Sequence, residues 1–242
     1  MQIRAFMISR QLVLMMALVP ALLFAACKKA PESDVAKTGD AVEVSEANKG
    51  VAYPINLKVS KMEWIGTKLS TYHHGEVNIK SGELKLADGK LSGGDFRIDM
   101  TTIVAHDAGK EDINQKLTGH LLSPDFFDVA NYPEASFEIT GVKTFSGNAQ
   151  EPDGMNEISE YKISSPNYTI SGNLKIKDIT KNIEFPARVE IANDKISAMA
   201  KFNIDRKLWG IVYPGMPDDM VQDMIWFGIS IESDITAETA LK

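Results

Sequence analysis

Apolar and polar residues alternate with a period of two along most of this chain. Val77 and Ile79 stand among Glu76, Asn78 and Lys80; Leu84 and Leu86 between Glu83 and Lys85. Phe96, Ile98 and Met100 alternate with Asp95, Arg97 and Asp99. The same rhythm returns at Phe137 and Ile139, at Leu174 and Ile176, and at Ile183 and Phe185. It returns again at Phe202 and Ile204, and at Phe227, Ile229 and Ile231. Successive side chains of a strand point to opposite faces, so each run has one apolar and one wet face. Antiparallel sheets produce that pattern; parallel strands buried on both faces read as continuous apolar runs.

The punctuation agrees. Asp88-Gly89 separates two such runs and fits a two-residue hairpin turn that needs positive φ. Asn193-Asp194 does the same between 188–191 and 196–204. Residues 146–166 are rich in Gly, Asn, Glu, Pro and Ser and read as an exposed hairpin or insertion. One stretch changes period: Ile113, Leu117 and Leu121 recur at every fourth residue and predict a helix. A second helical turn is expected at Ser123-Pro124-Asp125, with Ser as cap, Pro in the first turn and Asp at the positive dipole end. One of Phe126 and Phe127 then faces the core. The fold class expected is all-β: an antiparallel, lipocalin-like barrel of about eight strands with one or two short helices between strands. Closure removes exposed strand edges. A two-sheet sandwich satisfies the alternation too.

The N-terminus follows a different grammar. Arg4 and Arg10 precede an apolar run over 12–24, thirteen residues long, the length of a signal-peptide core and short for a bilayer span. Phe24-Ala25-Ala26-Cys27 follows and reads as a lipobox, with Phe24 where Leu is usual. Three parts are therefore expected: a lipoprotein signal peptide over 1–26, a lipidated Cys27 with a flexible polar tether over 27–50, and a barrel domain over 51–242. Several acyl chains anchor far more firmly than one. Cys27 is the only cysteine, so the domain holds no internal disulfide. Lys28 after the cysteine leans towards outer-membrane sorting, and the location expected is the cell envelope, lipid-anchored, on the periplasmic side or at the outer membrane. Net charge is −7, and −9 once Arg4 and Arg10 are removed. That balance argues against nucleic acid as a partner.

The segment 119–137, Gly-His-Leu-Leu-Ser-Pro-Asp-Phe-Phe-Asp-Val-Ala-Asn-Tyr-Pro-Glu-Ala-Ser-Phe, resembles the signature run of the YceI-like family. Two further stretches, 168–186 and 202–211, are similar to it, and the resemblance extends over roughly residues 52–236. It implies an extended lipocalin-like barrel with a tunnel for a long isoprenoid lipid, a polyprenyl chain or a quinone tail, in a mostly periplasmic family. The lipobox, the tether and the 146–166 insertion depart from the simplest members.

An isoprenoid tail offers no polar atoms, so its site must be apolar. One five-carbon unit is worth roughly 4 kcal/mol of gross burial, part of which goes into ordering the tail. The tunnel lining expected on that resemblance is Val77, Ile79, Phe96, Ile98, Phe137, Ile170, Leu174, Phe202, Trp209 and Phe227; core packing is the competing role for each. His120 and Arg206 are candidates to touch a headgroup at the barrel mouth. His73, His74, His106 and His120 lie near Asp107, Glu111 and Asp112 and raise a rival reading, a metal site or enzyme. Neighbouring strand residues point apart, and no ligand spacing such as HExxH occurs, so no metal, cofactor or catalytic residue is expected. A third reading is a filled barrel that docks an envelope partner. The sequence leaves a homodimer open.

Overall fold

The computed structural model describes residues 28–44, 49–147 and 160–235. Cys27, the lipobox and most of the 146–166 segment lie outside them.

Eight antiparallel strands close into a barrel, as the alternation predicts. They are β3 (Lys61–Thr67), β4 (Tyr72–Ala87), β5 (Lys90–Ala105), β6 (Glu134–Thr144), β7 (Tyr168–Ile176), β8 (Ile179–Ala192), β9 (Lys195–Asp205) and β12 (Met224–Asp234). Two short strands, β1 (Lys37–Asp40) and β2 (Val51–Pro54), join the same sheet. A small hairpin, β10 (Gly215–Met216) and β11 (Asp219–Met220), stands apart from it. Pairing of Ala187–Ala192 of β8 with 195–200 of β9 closes the ring. Both expected hairpin turns form with positive φ: 51° and 70° at Asp88 and Gly89, 53° and 59° at Asn193 and Asp194.

The alternation changes phase within strands, and bulges are the cause. In β4 the inward residues are Val77 and Ile79, then Leu84 and Leu86, odd positions giving way to even. The register against β5 slips between Ile79 and Ser81, where one extra residue re-aims all that follows. β6 slips likewise between Ile139 and Gly141, which brings Val142 inward after Ile139. A 16-residue strand thus reads as two short ones in the sequence, and the bulges bend it around the barrel.

α1 (Glu111–Leu122) covers one end of the barrel. Leu121 is buried, Leu117 half-buried and Ile113 half exposed, so the four-residue stripe buries only towards its C-terminal end. The second helical turn expected at 123–125 forms as a hydrogen-bonded turn that does not extend into a helix. Ser123 ends α1 in extended conformation, and its hydroxyl donates to the His120 carbonyl. Phe126 and Phe127 are both buried.

The polar composition of 28–50 predicts a tether, and the described part corrects that expectation. Towards the start of β8, β8 and β9 are no longer paired, and residues 34–40 fill the gap. β1 runs antiparallel to β8, with Lys37 opposite Glu184 and Asp40 opposite Lys181. On the other side the Ala36 N–H donates to the Asn203 carbonyl of β9, and the Asn203 N–H donates to Asp34. Ala36 joins the core, and the Asn203 side chain donates to the Pro31 carbonyl. Few of these residues are apolar because the inserted segment satisfies backbone groups of a split sheet and buries little side-chain surface.

Candidate functional site

The inward faces of the eight barrel strands enclose a cavity of about 250 Å³. Every one of those strands contributes to its wall, from Trp64 on β3 and Val77 on β4 round to Phe227 on β12. Five aromatic rings form a ladder across it. Phe96, Phe137, Phe185, Phe202 and Phe227 follow one another with centroids 6.4, 5.8, 4.2 and 6.2 Å apart. Strand register sets the ladder: Phe96 pairs with Phe137 across β5 and β6, and Phe202 with Phe227 across β9 and β12. Between β6 and β8 lies β7, and Gly172 there makes the Phe137–Phe185 contact possible. A Cβ on Gly172 would sit 2.2 Å from the Phe137 ring.

Nine of the ten expected lining residues face this cavity: Val77, Ile79, Phe96, Ile98, Phe137, Ile170, Leu174, Phe202 and Phe227. Trp209 does not. It ends the 3-10 turn Arg206–Trp209, is fully buried outside the lining, and donates its Nε1–H to the Leu174 carbonyl at 3.1 Å. Its role is core packing. The sequence reading passed over Phe185 and Trp64, although Phe185 belongs to the run Ile183, Phe185, Ala187, Val189 that faces inward along β8.

Polar groups gather at the end capped by α1. Arg206 lines the cavity, but its guanidinium is already engaged. It is 1% exposed and donates to the carbonyls of Ile211 at 2.6 Å, Gln222 at 3.1 Å and Val221 at 3.3 Å. The side chain that sequence offers as a headgroup contact therefore fastens the 211–222 loop to the barrel. Burial pulls its pKa down, and the nearby Asp223 and Asp205 only partly oppose this. His120 sits edge-on between Phe126 and Tyr213, at 4.9 and 4.6 Å, with Nε2 3.0 Å from Asp125 Oδ2.

The histidine with the most built surroundings is His73. Its Nδ1 lies 2.7 Å from Asp107 Oδ2, and the His74 N–H donates to Asp107 Oδ1 at 2.7 Å. Asn114 of α1 grips the Asp107 backbone, accepting from its N–H and donating to its carbonyl. Burial pushes the Asp107 carboxyl up, but the hydrogen bonds from His74 and His73 and the charges of His73 and Lys110 together hold it below its ordinary value. Two further polar atoms line this region. Trp64 Nε1 and Thr67 Oγ1 are buried and find no hydrogen-bond partner among the described residues. A sequence search for ionisable clusters misses both, because a lone Thr and a lone Trp carry no spacing signal. Among the described residues no three His, Cys, Asp or Glu side chains gather as a metal site would require.

The sequence profile of the YceI-like domain matches residues 53–235. No curated protein sequence matches the chain. The structure resembles BcnA of Burkholderia cenocepacia at 17% identity, covering 74% of this chain and 99% of that one, with a TM-score of 0.54. It also resembles a polyisoprenoid-binding domain from Saccharophagus degradans implicated in plant cell wall breakdown. That match has 11% identity, covers 77% of this chain and 99% of the other, and has a TM-score of 0.53.

Proposed function

The chain belongs to the YceI-like domain family, and from that membership and the cavity we propose that it binds an isoprenoid lipid inside the barrel. The ligand class is a polyprenyl chain or an isoprenoid quinone, and the task is storage, shielding or transport at the cell envelope. One observation carries the reading: the ladder of five phenylalanines lines a cavity whose remaining wall is mostly apolar, with polar groups gathered at one end. An apolar wall leaves the hydroxyls of a sugar or the phosphates of a nucleotide without hydrogen-bond partners. It offers a tail about 0.8 kcal/mol per buried CH₂. The polar end supplies what a quinone oxygen or an alcohol needs, the Thr67 hydroxyl and the Trp64 N–H, both without partners among the described residues. The mechanism is partition between bilayer and barrel, with no covalent step. Acyl chains on Cys27 keep the two close.

The rival reading of a filled barrel docking a partner needs side chains to occupy the interior, and the cavity speaks against it. Native mass spectrometry of the purified chain, with organic extraction of what leaves it, tests the proposal. A discrete adduct of isoprenoid mass is expected, lost in Ala200→Phe, which sets a ring into the cavity. A bare protein that takes up no polyprenol or quinone when titrated overturns it.

A further inference from the structure

The end of the barrel that carries the polar groups also carries an apolar projection. From the 3-10 turn to β12, the chain exposes Leu208, Val212, Met216 and Met220, at 40, 63, 59 and 50%. In the β10–β11 hairpin Met216 pairs with Asp219 and Met220 with Gly215, so the two methionines face opposite sides. Both are nonetheless at least half exposed, so each face of the hairpin presents a methionine to solvent. Met216 also lines the cavity, as do Gly215, Val221 and Gln222. The projection therefore forms one lip of the cavity mouth. Its acidic Asp219 is neutralised by Lys68 at 3.5 Å and accepts from the Ser70 N–H.

The N-terminal segment reaches this same lip. The Lys28 N–H donates to the Leu69 carbonyl at 3.0 Å, and the Leu69 N–H donates to the Met220 carbonyl at 3.1 Å. Cys27 directly precedes Lys28 in the sequence. Lys28 and Lys29 are exposed beside it. Acyl chains on that cysteine would enter the bilayer next to Met220, whereas the Ala87–Lys90 hairpin lies at the far end of the barrel.

We propose that the β10–β11 hairpin and Val212 dock into a lipid bilayer, so that the cavity opens directly onto the membrane that holds the anchor. Methionine suits such a surface, being flexible and apolar without a fixed shape. Asp218, exposed at the turn, keeps the insertion at headgroup depth. The paired lysines meet the phosphates. The inference rests on the reading of Cys27 as lipidated for its tether, and on the hairpin's own geometry for its orientation.

The test uses the full chain reconstituted in phosphatidylethanolamine–phosphatidylglycerol vesicles, with a polarity-sensitive dye on Met216→Cys, Met220→Cys or, as control, Lys90→Cys. The unsubstituted chain takes no dye when Cys27 carries lipid and one dye when it does not, which reads the anchor separately. Docking predicts blue-shifted emission and quenching by brominated acyl chains at 216 and 220, with Lys90→Cys remaining water-like. An anchored protein whose dye at 216 and 220 matches that at 90 overturns the docking and leaves the anchor standing. If Cys27 proves free, the same dyes are read in a Cys27→Ser background mixed with the vesicles. A blue shift there upholds docking without the anchor, and its absence overturns it.

Discussion

Arg206→Met separates a structural role from a ligand contact. The guanidinium donates to three backbone carbonyls and has Asp223 3.7 Å away. Methionine replaces the stem of the side chain and leaves the carbonyls of Ile211, Val221 and Gln222 without their donor. A hydrogen bond from a charged group is worth about 1.5–3 kcal/mol, so three give a gross loss of about 5–9 kcal/mol. The loop can turn some of those carbonyls to water, and the net loss settles at about 3–5 kcal/mol, the usual cost of breaking a buried charged network. With a urea m-value of about 2 kcal/mol per M, the unfolding midpoint falls by about 2 M. Arg206→Lys keeps the charge but not the planar fork, and recovers less than half of the loss. Unfolding is followed by tryptophan emission, because Trp209 sits fully buried three residues away. Lipid occupancy is read in parallel by native mass spectrometry. A variant that unfolds within about 0.5 M of the parent yet has lost its lipid would refute this account and return Arg206 to the headgroup.

Trp209→Phe should cost about 1–3 kcal/mol through the lost Nε1–H bond to the Leu174 carbonyl and the space left by the smaller ring, with lipid occupancy unchanged; calorimetry and mass spectrometry check the two halves. Gly172→Ala should displace the Phe137 ring and destabilise by about 1–3 kcal/mol, seen as a lower urea midpoint. Asp107 has a lowered folded pKa, so its contribution is complete above the ordinary value of 3.8 and disappears as pH falls through the lower folded value. The stability gap between the parent and Asp107→Asn should therefore hold down to about pH 4.5 and close below it in acid titrations followed by circular dichroism.

The strand faces were legible because a barrel wall needs one apolar side, and a period of two writes that need directly into the residue order. Asp88-Gly89 and Asn193-Asp194 announced their turns because few other residues accept positive φ. Nine of the ten lining residues followed from the same alternation. Trp209 failed because it lies just past a strand end, where a 3-10 turn decides its direction and the period of two no longer holds. Arg206 failed for a related reason: a charged residue near a mouth looks free until the carbonyls that surround it are known.

Residue order alone determined the strand class and most of the inward faces, since each depends on near neighbours in the chain. The tertiary structure alone decided where bulges shift the phase of β4 and β6, and how the Phe137 ring crosses Gly172 to reach Phe185. It also placed residues 34–40 in the gap between β8 and β9, and brought Lys28, Leu69 and Met220 to one rim. These are contacts between residues tens to more than a hundred positions apart. They are fixed by ring closure and backbone pairing, which no local pattern encodes.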